Sequence, residues 1–566
     1  MRSHLPCIIA SLLGLPLLSA GCGGGGSTGT GGGGGAETGD ITGKVIDTYR
    51  PSSGEVQKPS PGSWVAIEAL VPAGDGYTAF AGTISAAGDI SIPGVPEGPY
   101  LLSLTNPLPS TLASGQLSKS FYGTSSRTLD LGAIYSGRPD IASMTEPTHL
   151  VLDATLQIPW QAYTLDGQGN VTQPLDDDVQ FVSRNASVTG LFTATQSDTG
   201  DHPPADGDSS LSAWSIDARS GFDDLGILSL VDGSKGDDFA VLHDVAAQVG
   251  MADDVDPWKG YAFTSTQEVW RPPGFTMKDG GTSVLSGEFT KVPQKSFALD
   301  YKGSAFNALF ADLAVDNVNL DIGLYLEAGT PEPAVGAYPT LLGLNVNSLT
   351  VYQNPACAGP GCNEAGCPSG CDLGTLWPPG DHAHTFSYGN PFDFGQELVA
   401  MTLFFQKSVT TLLPEMTNEN LNGLFTVQAP ASELDGKPLA PTLGLPKDIT
   451  VGGKSTPYDQ VTAGVGTAPL VHWSAPSLGT PTHYRVNVID LTDLTLKDGS
   501  TLRRRSVAVL NLTGTEVRLP DGILKTGRFY YMQVTAVAAD KDDLSRPFYF
   551  PVHDVRATMF TGVITP

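Results

Sequence analysis

The sequence predicts an all-β protein of tandem β-sandwich modules flanking a larger β-rich middle region, with little helix. Two observations carry this. The 566 residues include 67 Gly and 43 Pro spread along the chain, a composition that favours turns and short strands over long helices. Apolar residues also recur at every second position over short stretches bounded by Gly and Pro, the period of a half-buried strand. The chain is too long for one hydrophobic core. Its 40% hydrophobic and 8% aromatic content suffices for packed domains.

The first residues, "MRSHLPCIIASLLGLPLLSAGC", place one positive charge before an apolar run from Leu5 to Leu18. That run is too short, and too interrupted by Pro6 and Pro16, to span a bilayer comfortably, and it has the layout of an export signal over residues 1–21. Ser19, Ala20 and Gly21 precede Cys22. Together they resemble the lipobox of bacterial lipoproteins, although Ser19 stands where that motif usually has Leu. The resemblance implies lipidation of Cys22 and removal of everything before it. Residues 22–40 then form a glycine-rich tether, a flexible coil spanning roughly 20–25 Å. Gly23, rather than Asp, after the cysteine is what the resemblance associates with the outer membrane.

Residues 41–139 form the first folded unit. "ITGKVID" (Ile41–Asp47), "WVAIEAL" (Trp64–Leu70) and "GTISAAGDISIPGVPEGPYLLSL" (Gly82–Leu104) alternate Val65, Ile67 and Ala69, then Ile90 and Ile92, then Tyr100, Leu102 and Leu104. This pattern resembles the carboxypeptidase regulatory-like, or prealbumin-like, β-sandwich, a structural or binding module without catalytic residues. "RTLDLGAIY" (Arg127–Tyr135) extends it as a further strand.

Residues 140–436 resemble no family. "HLVLDATLQIP" (His149–Pro159), "DDVQFVSRN" (Asp177–Asn185), "LGILSLVD" (Leu225–Asp232) and "DDFAVLHDV" (Asp237–Val245) read as strands. Two of these share an Asp-Asp start, a hint of repetition, and a soft boundary falls near residue 260. A short helix is expected where Phe306, Leu309, Phe310 and Leu313 share helical spacing behind Ser304 as cap.

Residues 437–448, "KPLAPTLGLPKD", read as a linker. Beyond them, residues 449–566 contain "APLVHWSAP" (Ala468–Pro476), "HYRVNVIDL" (His483–Leu491) and "TEVRLPDGILKTGRFYYMQVTAV" (Thr515–Val537). These resemble a fibronectin type III domain. The resemblance implies a core of Trp473, Tyr484, Tyr530, Met532, Val534 and Ala536 in a unit that folds alone. Arg503 to Arg505 read as a solvated hairpin patch.

The formal net charge of −28 repels phosphate backbones and argues against nucleic-acid binding. No nucleophile elbow, H-E-x-x-H, Walker loop or complete EF-hand is present. The acidic stretch "DTGDHPPADGD" (Asp198–Asp208) lacks Ca²⁺-loop spacing and reads as a solvated loop. "CAGPGCNEAGCPSGCDLGTLWPPGDHAH" holds Cys357, Cys362, Cys367 and Cys371, an even set in an exported chain. Two local disulfides follow, with three connectivities open. The alternative is zinc held by those thiolates, joined by His382 and His384 from one strand face.

The expected function is binding or scaffolding by a lipid-anchored envelope protein at the outer membrane, facing the periplasm or the exterior. Its expected partners are the membrane, through the anchor, and a protein or polysaccharide ligand. No cofactor is expected. Two alternatives stand beside this reading: an envelope hydrolase with its site in the middle region, and an accessory subunit of an envelope assembly.

Overall fold

The computed structural model describes residues 37–106, 118–162, 164–165, 171–173, 176–193, 204–218, 229–249, 261–310, 323–329, 339–344, 381–393, 396–413, 416–495, 501–502, 504–540, 544–549 and 551–566. It is nearly all β. The described α-helices are Gly303–Phe310 and Ala431–Leu434. No described helix is long and apolar enough to cross a membrane.

In the first unit, strands Thr38–Lys44, Thr83–Ile84, Asp89–Pro96 and Thr128–Asp130 form one sheet. It packs on a second sheet of Ala66–Ala73, Gly76–Ala81, Tyr100–Thr105 and Lys119–Thr124. Ile41, Ile67, Ala69, Ile90, Ile92, Tyr100, Leu102 and Leu104 fill the space between, as their alternation requires. Val65 departs from that pattern and is 61% exposed. The Tyr100–Thr105 strand is buried on both faces, because Leu101 joins the large core that runs through the rest of the molecule.

The last unit is also two sheets. Lys447–Val451, Lys454–Ser455, Leu470–Ser474 and Glu516–Arg518 face His483–Asp490, Arg505–Leu512, Tyr530–Ala539 and Asp554–Phe560. Trp473 is wholly buried and meets Tyr484 edge-on at 5.3 Å. Tyr530, Met532, Val534 and Ala536 line the same core.

The first and last units meet directly. Lys119–Thr124 pairs in parallel with Arg505–Leu512, from Ala508↔Lys119 to Asn511↔Tyr122. At the other edge of the last unit, Asp554–Phe560 pairs with Met416–Pro430 of the middle region. The sheet continues through Gln396–Leu413, Gly323–Gly329, Thr340–Leu344, Tyr261–Trp270, Ala240–Val249, Asp178–Ser183 and Val188–Thr193. The result is one sheet of 19 strands crossing all three regions. Open sheets rarely exceed about ten strands as a single unit; this one is assembled by joining module edges, which also removes unpaired strand edges from solvent.

The structure adds detail to several of these expectations. The last unit shares both of its outer strands with neighbours, and its Leu544 and Phe548 sit in the core of the first unit. Within the expected linker 437–448, Leu439, Leu443 and Leu445 are buried, and Pro438–Leu439 pairs with Asp300 and Tyr301. Ala240–Val249 and Tyr261–Trp270, on either side of the expected soft boundary near residue 260, are antiparallel partners from Val241↔Trp270 to Val249↔Tyr261. Arg505 is not a solvated residue. Its guanidinium reaches the buried Asp490 at 3.0 Å, which Arg528 also meets at 2.7 Å. Gly303–Phe310 is helical, with Phe306 fully buried. Its first turn is capped by Asp381, which accepts from the Ser304 backbone N–H at 3.0 Å and hydroxyl at 2.6 Å.

Candidate functional site

Cys22, Cys357, Cys362, Cys367 and Cys371 lie outside the described residues. His382 and His384 occupy alternate positions of Asp381–Gly389, opposite Tyr301 and Leu299. His384 is half-buried against the edge of Phe386, and burial lowers its pKa. Among the described residues, no group of three or more His, Cys, Asp or Glu is placed to hold a metal ion.

Among the described residues, the densest acid–base cluster lies in the first part of the middle region. There His149–Thr155, Ser210–Asp217 and Thr282–Glu288 form a sheet packed on the end of the large sheet around Trp160, Trp214 and Phe289. His243 points into this core. Its Nδ1 is 2.9 Å from Glu268 and its Nε2 2.9 Å from Asp177, and all three side chains are fully buried. A β-bulge makes this geometry: the register shifts between His243 and Asp244, so His243 faces Glu268 and Asp244 faces Thr266. The Trp160 ring stacks on the imidazole at 5.5 Å and 5°.

The carboxylates are held in turn. Asp177 accepts the backbone N–H of Ala246 at 2.7 Å and of Gln161 at 2.8 Å, and Glu268 accepts that of Gln157 at 2.9 Å. Burial alone would push His243 down, but the hydrogen bonds and charges of Asp177 and Glu268 raise it to about 9. The imidazole is therefore a cation donating both N–H groups. On the other face, Asp244 accepts from the Thr266 hydroxyl at 2.6 Å and from Gln180. Burial nevertheless raises its pKa to about 6.

This cluster resembles catalytic machinery in composition but not in access. Both imidazole nitrogens are occupied, and no atom of the three side chains reaches solvent. It ties together the chain before Asp178–Ser183, the central Ala240–Val249 strand and Tyr261–Trp270. The two Asp-Asp starts carry a trace of this in the sequence. The two Asp-Asp strands are antiparallel neighbours, and their aspartates have different fates. Asp177 holds His243, whereas Asp237 takes Arg138 of the first unit through bonds of 2.8 and 2.9 Å.

A solvent-open groove of about 710 Å³ lies at the seam of the first and last units, between Tyr77, Tyr100, Thr124, Glu516, Arg518 and Leu544. The Tyr77 hydroxyl donates to the Arg518 carbonyl at 2.9 Å, bridging the units. The Tyr100 hydroxyl donates to the Ser126 carbonyl at 2.6 Å.

No family model matches the chain, and no curated protein matches it. Three solved structures are similar over long alignments. A leucine-rich repeat protein from Bacteroides thetaiotaomicron is 11% identical at a TM-score of 0.12, covering 56% of this chain and 32% of that one. A streptococcal ancillary pilin is 13% identical at 0.11, covering 68% and 95%. The Bacillus anthracis TIE protein is 9% identical at 0.11, covering 95% and 74%. The chain thus spans about a third of the first of these. At such TM-scores the likenesses carry no argument.

Proposed function

We propose that this is a lipid-anchored cell-envelope protein, held by Cys22 at the outer membrane, whose role is to bind or scaffold a protein or polysaccharide partner. In this reading the ends are carboxypeptidase regulatory-like and fibronectin type III-like modules. The observation that supports it is the joined sheet. Pairing across both edges of the last unit welds three regions into one body, an arrangement that presents fixed surfaces rather than moving parts. The middle region agrees with binding more than hydrolysis. The acid–base cluster around His243, the densest among the described residues, is consumed by internal hydrogen bonds, whereas a general acid or base must reach the atom it serves.

Fractionation of cells expressing the full chain tests the reading. The wild type should sediment with outer membranes, and Cys22→Ser should leave the chain unprocessed or soluble. Normal cleavage with equal membrane retention after that change would overturn it.

A further inference from the structure

The two layers of the last unit are unequal in width. The layer holding His483–Asp490 and Arg505–Leu512 runs on into the first unit through Lys119–Thr124 and then Tyr100–Thr105. The layer facing it ends at Glu516–Arg518, which pairs with Leu470–Ser474 on one side. The groove of about 710 Å³ lies beside that last strand, over the extended layer. Glu516, Val517 and Arg518 line one side of it, and Leu101, Gly123 and Leu512 line the other. A Cβ on Gly123 would lie 3.5 Å from the Leu512 Cβ and 3.6 Å from Leu101, which is ordinary van der Waals contact. The glycine thus leaves a notch where a side chain would fit.

The strand at the rim has one edge open. The Trp473 N–H donates to the Thr515 carbonyl at 3.0 Å, and the Leu519 N–H to the Pro469 carbonyl at 2.9 Å. Between these bonds the antiparallel ladder alternates. Val517 turns its backbone groups toward Leu470–Ser474, and Glu516 and Arg518 turn theirs away. The Arg518 carbonyl shows the direction, since it accepts the Tyr77 hydroxyl from across the seam at 2.9 Å. Among the described residues, no strand pairs with this edge, and Glu516 is exposed beside the groove. Its N–H and C=O, and the Arg518 N–H, are within reach of an incoming chain.

An edge of this kind selects its occupant. Alternating N–H and C=O groups along a strand match the spacing of another extended main chain. Tyr77 and Tyr100, which line the groove, commit their hydroxyls to carbonyls of the protein itself, and this leaves less to hold the hydroxyls of a sugar. Side chains of an added strand would alternate between faces. The one opposite Val517, which is buried and faces between the layers, enters the notch at Gly123 and must be apolar beside Leu101 and Leu512. The one opposite Glu516 lies with that carboxylate on the solvent face. Arg518 is committed to Asp75 and to the Ala468 carbonyl, whereas Glu516 forms no ion pair among the described residues. A cation opposite it makes a favourable cross-strand pair, and the formal charge of −28 attracts a basic partner. We propose that the groove binds an extended segment of a partner protein, alternating basic and apolar residues, as a strand added to Glu516–Arg518. This rests on the binding reading above, narrows its partner to a polypeptide, and does not depend on the anchor.

Hydrogen exchange and fluorescence anisotropy of the full chain in detergent test it. The probe is a capped Lys-Val-Lys-Val-Lys peptide. The control is the same peptide N-methylated at its lysines, equal in charge but without the donors that a strand opposite Glu516 must supply. The probe should slow exchange at the Glu516 and Arg518 amides by at least about fivefold, and the control should not. Glu516→Lys should weaken probe binding by about fivefold or more, because a like charge then stands opposite the lysine. Gly123→Leu should fill the notch and abolish binding. Glu516 is exposed, so its variant keeps the proposal testable should Gly123→Leu fold poorly. Equal binding of the control, binding unchanged in Glu516→Lys, exchange at both amides unaffected by the probe, or their protection by polygalacturonate in place of the peptide would overturn it. Membrane retention is read separately through Cys22→Ser, so the two readings fail independently.

Discussion

His243 shows how a single buried side chain can hold together two strands and the chain leading into a third. Asp177 and Glu268 are buried with it, so removing the imidazolium leaves two carboxylates unpaired in the core. His243→Leu should cost about 3–5 kcal/mol, the usual result of breaking a buried ionic pair from one side, measured by urea denaturation. The pH dependence has a definite sign. Unfolded histidine titrates near 6.5 and His243 near 9, so the native state holds the extra proton between them. The stabilisation, about 3 kcal/mol by linkage, is complete below about pH 6.5 and lost as pH rises through about 9. Asp244 acts in the same direction lower down. Its raised pKa of about 6 means the native state gains as pH falls from about 6 toward 4. Wild-type melting temperature should therefore fall from pH 6.5 to 9.5, and the fall should flatten in His243→Leu. A flat wild-type profile over that range would remove the imidazolium from the account.

At the scale of elements, the long hairpin Gln396–Leu413 and Met416–Pro430 has its own requirement. Phe405 stands directly opposite Gly423, and its fully buried ring lies over the glycine backbone. A Cβ on Gly423 would come within 2.0 Å of that ring. The pair is an aromatic covering a strand glycine. Gly423→Ala should displace Phe405 from its place near Phe560, now 5.7 Å between ring centres. The expected cost is about 1–3 kcal/mol from overpacking, with a loss of near-ultraviolet dichroism. An unchanged melting temperature would show that the strands can part without penalty.

Across the whole molecule, the first and last units share a core as well as a sheet. Phe548 stacks on Trp64 at 5.1 Å and meets Tyr122 edge-on. Phe548→Ala, a change in the last unit, should therefore destabilise the first, by about 3–5 kcal/mol. Hydrogen exchange along Ala66–Ala73 and Tyr100–Thr105 reads this directly. Expressed alone, residues 449–566 would present two bare strand edges, Arg505–Leu512 and Asp554–Phe560, which are templates for association. Gel filtration should show oligomers or aggregate. A stable monomer with an intact core would mean the seams are dispensable.

The sequence by itself determined the all-β class, the inward residues of the end units apart from Val65, and the short helix. Those properties are local: period-two alternation in Gly82–Leu104, the Trp473 and Tyr530 patterns, and the spacing of Phe306 and Leu309 all follow from which face of an element meets water. The tertiary structure decided three other matters. It made neighbours of the first and last units, because edge pairing uses backbone N–H and C=O groups that every residue carries and so leaves little trace in composition. It brought Asp177, His243 and Glu268 together, since a bulge fixed which residue of Tyr261–Trp270 faces the imidazole. Among the described residues, it left the buried Asn511 Oδ1 without a hydrogen-bond partner, a property of what surrounds a side chain in space and not of its order along the chain.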